Sequence, residues 1–340
     1  MTSLVDVTLL PPEEMETAYM EYRRACYDIV YRSSLERGLM RLFSSPLSFD
    51  ELVVALPVAA NKRRAAQLLL DALVKYGALE RLPGAPVKYR AVPELADPQF
   101  DEALIRLATN KESVAELRHA ENYAGIIDAL SLTDNPVSAS FDSEHIGVWD
   151  EVLQAPFYRY SRAQAVREIS KSGPHLLDLA CGPGYGLREL AGEVGGQPGA
   201  TIVGVEISPD FVGNAANRNS DDHRVHVVRG DLEQPLDFLQ AGFFDGAMIV
   251  GAYHFLADTR ALWASVTRLL RPGGVFCVAY VLSRVGTYDQ EILDLRFALR
   301  QPPSYPPTRQ DVLGRAEEHG MRLTRELGLG AWRWYAFTRA

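Results

Sequence analysis

Between Asn61 and Tyr76 the apolar positions Ala65, Ala66, Leu69, Ala72, Leu73 and Tyr76 recur at three- and four-residue spacing. That period puts them on one face of a helix whose start is signalled by Asn61. Upstream, Pro11 to Phe43 reads as helical, and a shorter helix, Phe49 to Leu56, is bounded by Pro46 and Pro57. After Gly77 two short runs, Ala78 to Leu82 and Val87 to Val92, flank the turn Pro83-Gly84-Ala85-Pro86 and predict a small hairpin. Helix, helix, hairpin is the order of a winged helix. Residues 98–172 look mostly helical and end in an aromatic cluster, Trp149, Phe157, Tyr158 and Tyr160.

From His175 onward the pattern changes to strand and helix in alternation. Strands are expected at His175–Ala180, Thr201–Glu206, Arg224–Val228, Phe244–Val250 and Gly273–Leu282, with helices at Leu187–Val194, Pro209–Asn217, Thr259–Leu270 and Thr308–His319. Such alternation predicts a mainly parallel sheet covered on both faces. The last two strands, Arg322–Gly328 and Trp332–Thr338, leave no room for a crossover helix and must pair antiparallel. The expected fold class is therefore α/β: a seven-stranded Rossmann-like sheet with an antiparallel last strand, preceded by an N-terminal helical, winged-helix-like domain. The expected boundaries are 1–95 for a winged-helix dimerisation domain, 96–172 for a helical bridge and substrate lid, and 173–340 for the cofactor-binding domain.

Composition narrows the function. The chain has 340 residues, 47% hydrophobic and 23% charged, as an ordinary globular protein does. Its net charge of -9 does not suit a protein that holds a nucleic-acid backbone by charge. Lys62-Arg63-Arg64 invites a DNA-binding reading of the winged helix, but residues 1–95 carry 12 basic and 12 acidic side chains and so lack a basic footprint. No nucleic-acid partner is expected. The first 20 residues lack the basic start and apolar run of a secretory signal. The longest uncharged apolar stretch, Gly273 to Leu282, is about half of the ~20 residues a membrane span needs. A cytoplasmic protein without a membrane partner is expected. The widely spaced Cys26, Cys181 and Cys277, and histidines without ligand spacing, indicate neither disulfides nor a metal site.

The chemistry lies in the turn after the first strand of the α/β region, Asp178-Leu179-Ala180-Cys181-Gly182-Pro183-Gly184-Tyr185-Gly186. In an open α/β sheet, ligands bind outside the carboxyl ends of strands, and Gly182 and Gly184 let a ligand lie against the backbone. Twenty residues past Gly186 the second strand ends in Glu206, whose carboxylate can accept both hydrogens of a ribose diol. A dinucleotide fingerprint needs a third glycine where Leu187 stands. Asp178, unwelcome beside a pyrophosphate, suits the cationic amino group of a methionine moiety. S-adenosylmethionine is the cofactor these features favour over NAD.

Five segments in register, LLDLACGPGYG, TIVGVEIS, VVRGDLEQPL, FFDGAMIVGAYHFLAD and LLRPGGVFCVAY, make residues 173–340 resemble the class I S-adenosylmethionine-dependent methyltransferases. The resemblance implies that Asp178 and the backbone of Ala180 to Gly184 hold the methionine end. It assigns Glu206 to the ribose, Ile207 to one face of adenine, and Asp231 with Leu232 to the adenine edge. With the N-terminal pattern, it narrows to small-molecule O-methyltransferases that carry a winged-helix dimerisation domain. In that group a His in a segment resembling LHDWxD is the general base. Here the segment is Tyr253-His254-Phe255-Leu256-Ala257-Asp258, so His254 matches the base and Asp258 the final acid, while Phe255 stands where the first acid belongs. An imidazole titrates near neutrality and can take a hydroxyl proton; a pocket-lining or helix-capping role for His254 stays open.

The expected function is methyl transfer from S-adenosylmethionine to a small organic metabolite of natural-product type, with O-methylation favoured. The alternative is cyclisation, decarboxylation or use of the cofactor itself as substrate on the same scaffold. Tyr158, Tyr160, Tyr288 and Tyr305 are candidate substrate-lid residues. A homodimer through residues 1–95 is expected because Ile29-Val30-Tyr31 with Leu39-Met40 and Leu42-Phe43 exceeds what a small winged helix needs for its own core.

Overall fold

The computed structural model describes residues 7–93, 125–131, 141–154, 156–281, 286–299 and 307–340. The chain divides into two compact units. One is formed by 1–5, 12–139 and 283–305, the other by 6–11, 140–282 and 306–340.

The first unit opens with helix Pro12–Glu36 and the short helix Leu39–Leu42. Strand β1 (Leu47–Ser48), helix Phe49–Ala55 and helix Arg63–Tyr76 follow, then β2 (Leu79–Leu82) and β3 (Lys88–Ala91). The strands pair antiparallel in the order β1-β3-β2. Helix Phe49–Ala55 starts on a reciprocal cap: Ser48 Oγ accepts from the Glu51 N–H while Glu51 accepts from the Ser48 N–H. The predicted apolar face of Arg63–Tyr76 is buried through Ala65, Ala66, Leu69, Ala72 and Leu73.

Two further features of this unit bear on the sequence reading. The basic triplet is largely used internally. Lys62 is buried, its Nζ donating to the Leu299 carbonyl at 3.1 Å, where it satisfies the end of helix Gln290–Ala298. Arg63 pairs with Asp50 at 2.8 Å and lies over the Phe49 ring. The apolar run that suggested a dimer is likewise used within the chain, with Val30, Leu39, Met40 and Phe43 all buried.

The second unit is built on a seven-stranded sheet: β4 (His175–Leu179), β5 (Thr201–Glu206), β6 (Val225–Arg229), β7 (Phe244–Val250), β8 (Leu270–Val281), β9 (Met321–Leu329) and β10 (Trp332–Arg339). Their order is β6-β5-β4-β7-β8-β10-β9. The first five run parallel, and β10 is antiparallel to both β8 and β9, as the missing crossover required. Leu177, Leu179, Val203, Val205, Ala247, Ile249 and Val278 are buried in one core with Trp263 of helix Arg260–Leu269. Strands buried on both faces read as continuous apolar runs. The chain leaves β4 in one direction along the sheet and returns to β7 on its other side, so the carboxyl ends of these strands form the switch point where a ligand crevice opens.

Candidate active site

The loop after β4 carries the sharpest local geometry. Ala180 adopts φ 55°, a left-handed conformation that costs a residue with a Cβ about 1–2 kcal/mol, and Gly182 and Gly184 also have positive φ. The loop is tied down from several sides. The Cys181 N–H donates to the Val205 carbonyl at 3.1 Å. The buried Asn219 amide donates to the carbonyls of Gly184 and Ala215 at 3.2 and 2.8 Å. Helix Tyr185–Val194 then begins directly, with Gly184 at its N-cap and no side chain capping it.

Asp178 lies just below this loop and is 4% exposed. No described residue donates a hydrogen bond to its carboxyl. Burial raises its pKa to about 8, against the lowering influence of Arg162, while Glu189 and Glu206 raise it further. Arg162 is itself engaged: its Nε and Nη2 donate to Glu189 at 2.9 and 2.7 Å, and its Nη1 donates to the Leu153 carbonyl at 2.9 Å. Gly186 makes room for the carboxyl, because a Cβ there would collide with Asp178 and with Met248. Gly204 in mid-strand has a similar reason, since its Cβ would meet Cys181 Sγ and Leu187 at 2.8 Å.

Glu206, at the end of β5, is 5% exposed and accepts three backbone N–H groups: Gly182 at 3.0 Å, Ile207 at 2.9 Å and Ser208 at 3.0 Å. Its carboxylate joins the β4 and β5 loops, with about one of four lone-pair directions left. Ile207 is half exposed beside it. After β6, Asp231 is partly exposed, its Oδ1 accepting the Glu233 N–H at 2.9 Å, and Leu232 is buried. Asp178, Ala180, Gly182, Gly184, Glu206, Ile207, Asp231 and Leu232 thus all stand on the carboxyl ends of β4, β5 and β6.

His254 sits in the short 3-10 turn Tyr253–Phe255 after β7, is 7% exposed, and its ring lies 4.2 Å from that of Phe255. The turn is anchored by the buried Tyr253, whose hydroxyl accepts from Trp263 Nε1 at 2.9 Å. Asp258 is turned outward: it pairs with Arg260 at 2.6 Å, which holds its pKa down to about 2. Phe255 meets Phe141 and Trp149 edge-on at 5.3 and 6.3 Å, and those two rings stack at 5.2 Å.

Of the candidate lid tyrosines, Tyr158 approaches Gly251 at the end of β7 and packs edge-on against Trp332. Tyr160 is buried in the second unit. Tyr288 belongs to the first unit, against Tyr19, with its carbonyl accepting from the Tyr27 hydroxyl at 3.1 Å. Tyr305 lies outside the described residues. Sequence reasoning missed Arg162, Asn219, Tyr253 and Phe141. Only Gly204, a glycine inside a strand, carried a readable signal of a close approach.

The residues present fit a cofactor with a cationic head: a buried carboxyl without a donor, a loop that brings bare backbone to the crevice, and an acid at the next strand end. Among the described residues no group of three or more His, Cys, Asp or Glu could hold a metal ion, and no helix is long and apolar enough to cross a membrane.

Residues 177–278 match the family described as Methyltransferase domain. The O-methyltransferase cnsE of Penicillium expansum is 29% identical over 167 residues, covering 47% of this chain and 58% of that protein's length. An uncharacterized 37.1 kDa protein in transposon TN4556 of Streptomyces fradiae is 27% identical over 278 residues, 82% of this chain and 74% of that protein. Among solved structures, the CurJ carbon methyltransferase superposes with a TM-score of 0.70 at 16% identity, over 98% of this chain and 95% of its own. Residues 177–278, on the sheet whose strand ends carry the cradle described above, thus form a methyltransferase domain, and this chain is similar to S-adenosylmethionine-dependent methyltransferases in sequence and in fold.

Proposed function

We propose that the enzyme methylates a small organic acceptor of natural-product type, with His254 as the base that removes the acceptor's proton. The observation that carries the reading is the buried Asp178 carboxyl, to which no described residue donates. Burial keeps this carboxyl protonated, and a cationic ligand group beside it would favour the ionised form and pair with it. When bound, S-adenosylmethionine supplies an electrophilic methyl group. Asp178 and the backbone of Ala180 to Gly184 would hold its methionine end, Glu206 its ribose, and Ile207, Asp231 and Leu232 its adenine. The chain's own contribution is to fix nucleophile and methyl carbon in line and to keep water away. Tyr158, beside Gly251 at the end of β7, would line the acceptor's side of the second unit, while the buried Tyr160 would support it from within the core.

O-methylation is the first reading, because a hydroxyl is the simplest group for an imidazole after β7 to deprotonate. The likeness to a carbon methyltransferase over nearly the whole chain favours a second reading, an acidic carbon flanked by carbonyls. There the same imidazole would take a C–H proton. Methyltransferase relatives do not favour the cyclisation or decarboxylation alternative. Incubation with methyl-labelled S-adenosylmethionine and panels of phenols and of 1,3-dicarbonyl compounds separates the readings. Label transferred to oxygen or to carbon, with S-adenosylhomocysteine formed, identifies the acceptor atom. Methylthioadenosine as the product would overturn methyl transfer.

A winged-helix first domain, with boundaries at 95 and 172, and a homodimer formed through it belong to the same proposal. Support for the dimer rests on the exposed Met20, Leu35, Val54 and Val87, not on the buried apolar run. Light scattering at twice the 37.7 kDa chain mass is the expected result, and a monomer at micromolar concentration would refute it.

A further inference from the structure

Phe255 departs from the pattern of the O-methyltransferases that the chain resembles, and its contacts give the departure a purpose. Residues 141–154, which include helix Ile146–Leu153, are fastened at four points around the crevice. Ser208 Oγ, in the turn after β5, donates to the Phe141 carbonyl at 2.6 Å. The Ser143 N–H donates to Asp210 at 2.9 Å. Asp150 pairs with Arg218 at 2.9 Å, and Arg218 Nε also donates to the Pro183 carbonyl of the glycine-rich loop at 2.8 Å. The Leu153 carbonyl accepts from Arg162, and the Leu153 side chain is 3.8 Å from where a Gly182 Cβ would stand. The segment therefore runs from the end of β5 to the loop after β4. Phe255 reaches it from the far side, after β7. Because β4 lies between β5 and β7, rings joined across those two turns stand over the carboxyl end of β4.

We propose that residues 141–154 form a strap that closes over bound S-adenosylmethionine, and that Phe141, Trp149 and Phe255 are cofactor-contacting residues of this enzyme. The inference rests on the cofactor placement proposed above. All three rings are only partly buried, so each keeps some surface that is not covered by the protein. Aromatic faces suit an adenosine and a sulfonium alike, by stacking and by attraction to the cation. Phe255 serves the strap at a position where an acid would serve the imidazole.

Trp149 makes the test direct. It is the one partly exposed tryptophan of the four in the chain, since Trp263, Trp332 and Trp334 are all at most 2% exposed. S-adenosylhomocysteine, added without acceptor, should change the intrinsic fluorescence of the wild-type protein with the same midpoint as its calorimetric binding curve. Trp149→Phe should lose that response while still giving heat of binding. Trp149→Ala and Phe255→Ala should each weaken affinity about tenfold, chiefly through faster release in stopped flow. Binding heat without a fluorescence change, or a response that persists in Trp149→Phe, would overturn the strap and leave the cofactor site standing. No binding heat at all would overturn both.

Discussion

Two buried aspartates on neighbouring strands have opposite surroundings. Asp245, near the amino end of β7, is 3% exposed; it pairs with Arg271 at 2.6 Å and accepts the His175 N–H at 2.9 Å. Asp178, near the carboxyl end of β4, is equally buried, yet no described residue donates to it, and Arg162 is committed to Glu189 and Leu153. One carboxylate is compensated within the fold, the other is not. The sheet closes its own electrostatics at the end that only has to be stable. At the other end it holds a carboxyl that burial keeps protonated until a cationic ligand completes it.

The largest effect expected from this contrast is on cofactor binding. Asp178→Asn should lower S-adenosylmethionine affinity by about 100-fold, since a charge-assisted contact contributes roughly 1.5–3 kcal/mol, and calorimetry reads it. The same variant should be the more stable one without ligand. Burial lifts Asp178 from 3.8 to about 8, so the folded state holds a proton that the unfolded chain releases. The stability tied to that proton is fully present below pH 4 or so and is lost as pH rises through about 8. Thermal melts should therefore show the wild type losing stability relative to Asp178→Asn between pH 5 and 8. A difference that is flat with pH would contradict the buried, protonated carboxyl.

Next in size, Glu206→Ala should reduce cofactor affinity at least tenfold and also lower the melting temperature, because three backbone N–H groups lose their acceptor. Unchanged affinity would remove the ribose assignment. His254→Ala should lower kcat by roughly 10- to 100-fold while sparing cofactor affinity. A wild-type kcat in that variant would end the base assignment. The smallest functional effect belongs to the compensated partner. Asp245→Asn should cost about 1–3 kcal/mol of stability, a modest figure because Arg271 is half exposed, and leave cofactor affinity within twofold. A tenfold loss of affinity would blur the distinction between the two ends of the sheet.

The aromatic replacement shows what kind of information each level holds. In the sequence Phe255 is only a missing acid. In the fold it is a packing partner of Phe141, more than a hundred residues earlier, and no local rule connects the two. Tyr288 shows the same limit in reverse: an aromatic residue after the fifth parallel strand belongs to the first unit and packs with Tyr19.

The sequence by itself determined the elements and their order. Apolar runs of strand length, the period of the helix faces, and the glycines and prolines at their ends are local properties of the chain. The cofactor motif was legible for the same reason, since Asp178 to Gly186 is one continuous turn and Glu206 closes the next strand. Tertiary structure alone decided the charge state of Asp178, the three N–H groups gathered by Glu206, the outward turn of Asp258 and the fastening of residues 141–154. Each depends on groups distant in sequence being brought to one place and withdrawn from water, and burial and pairing have no signature in local pattern.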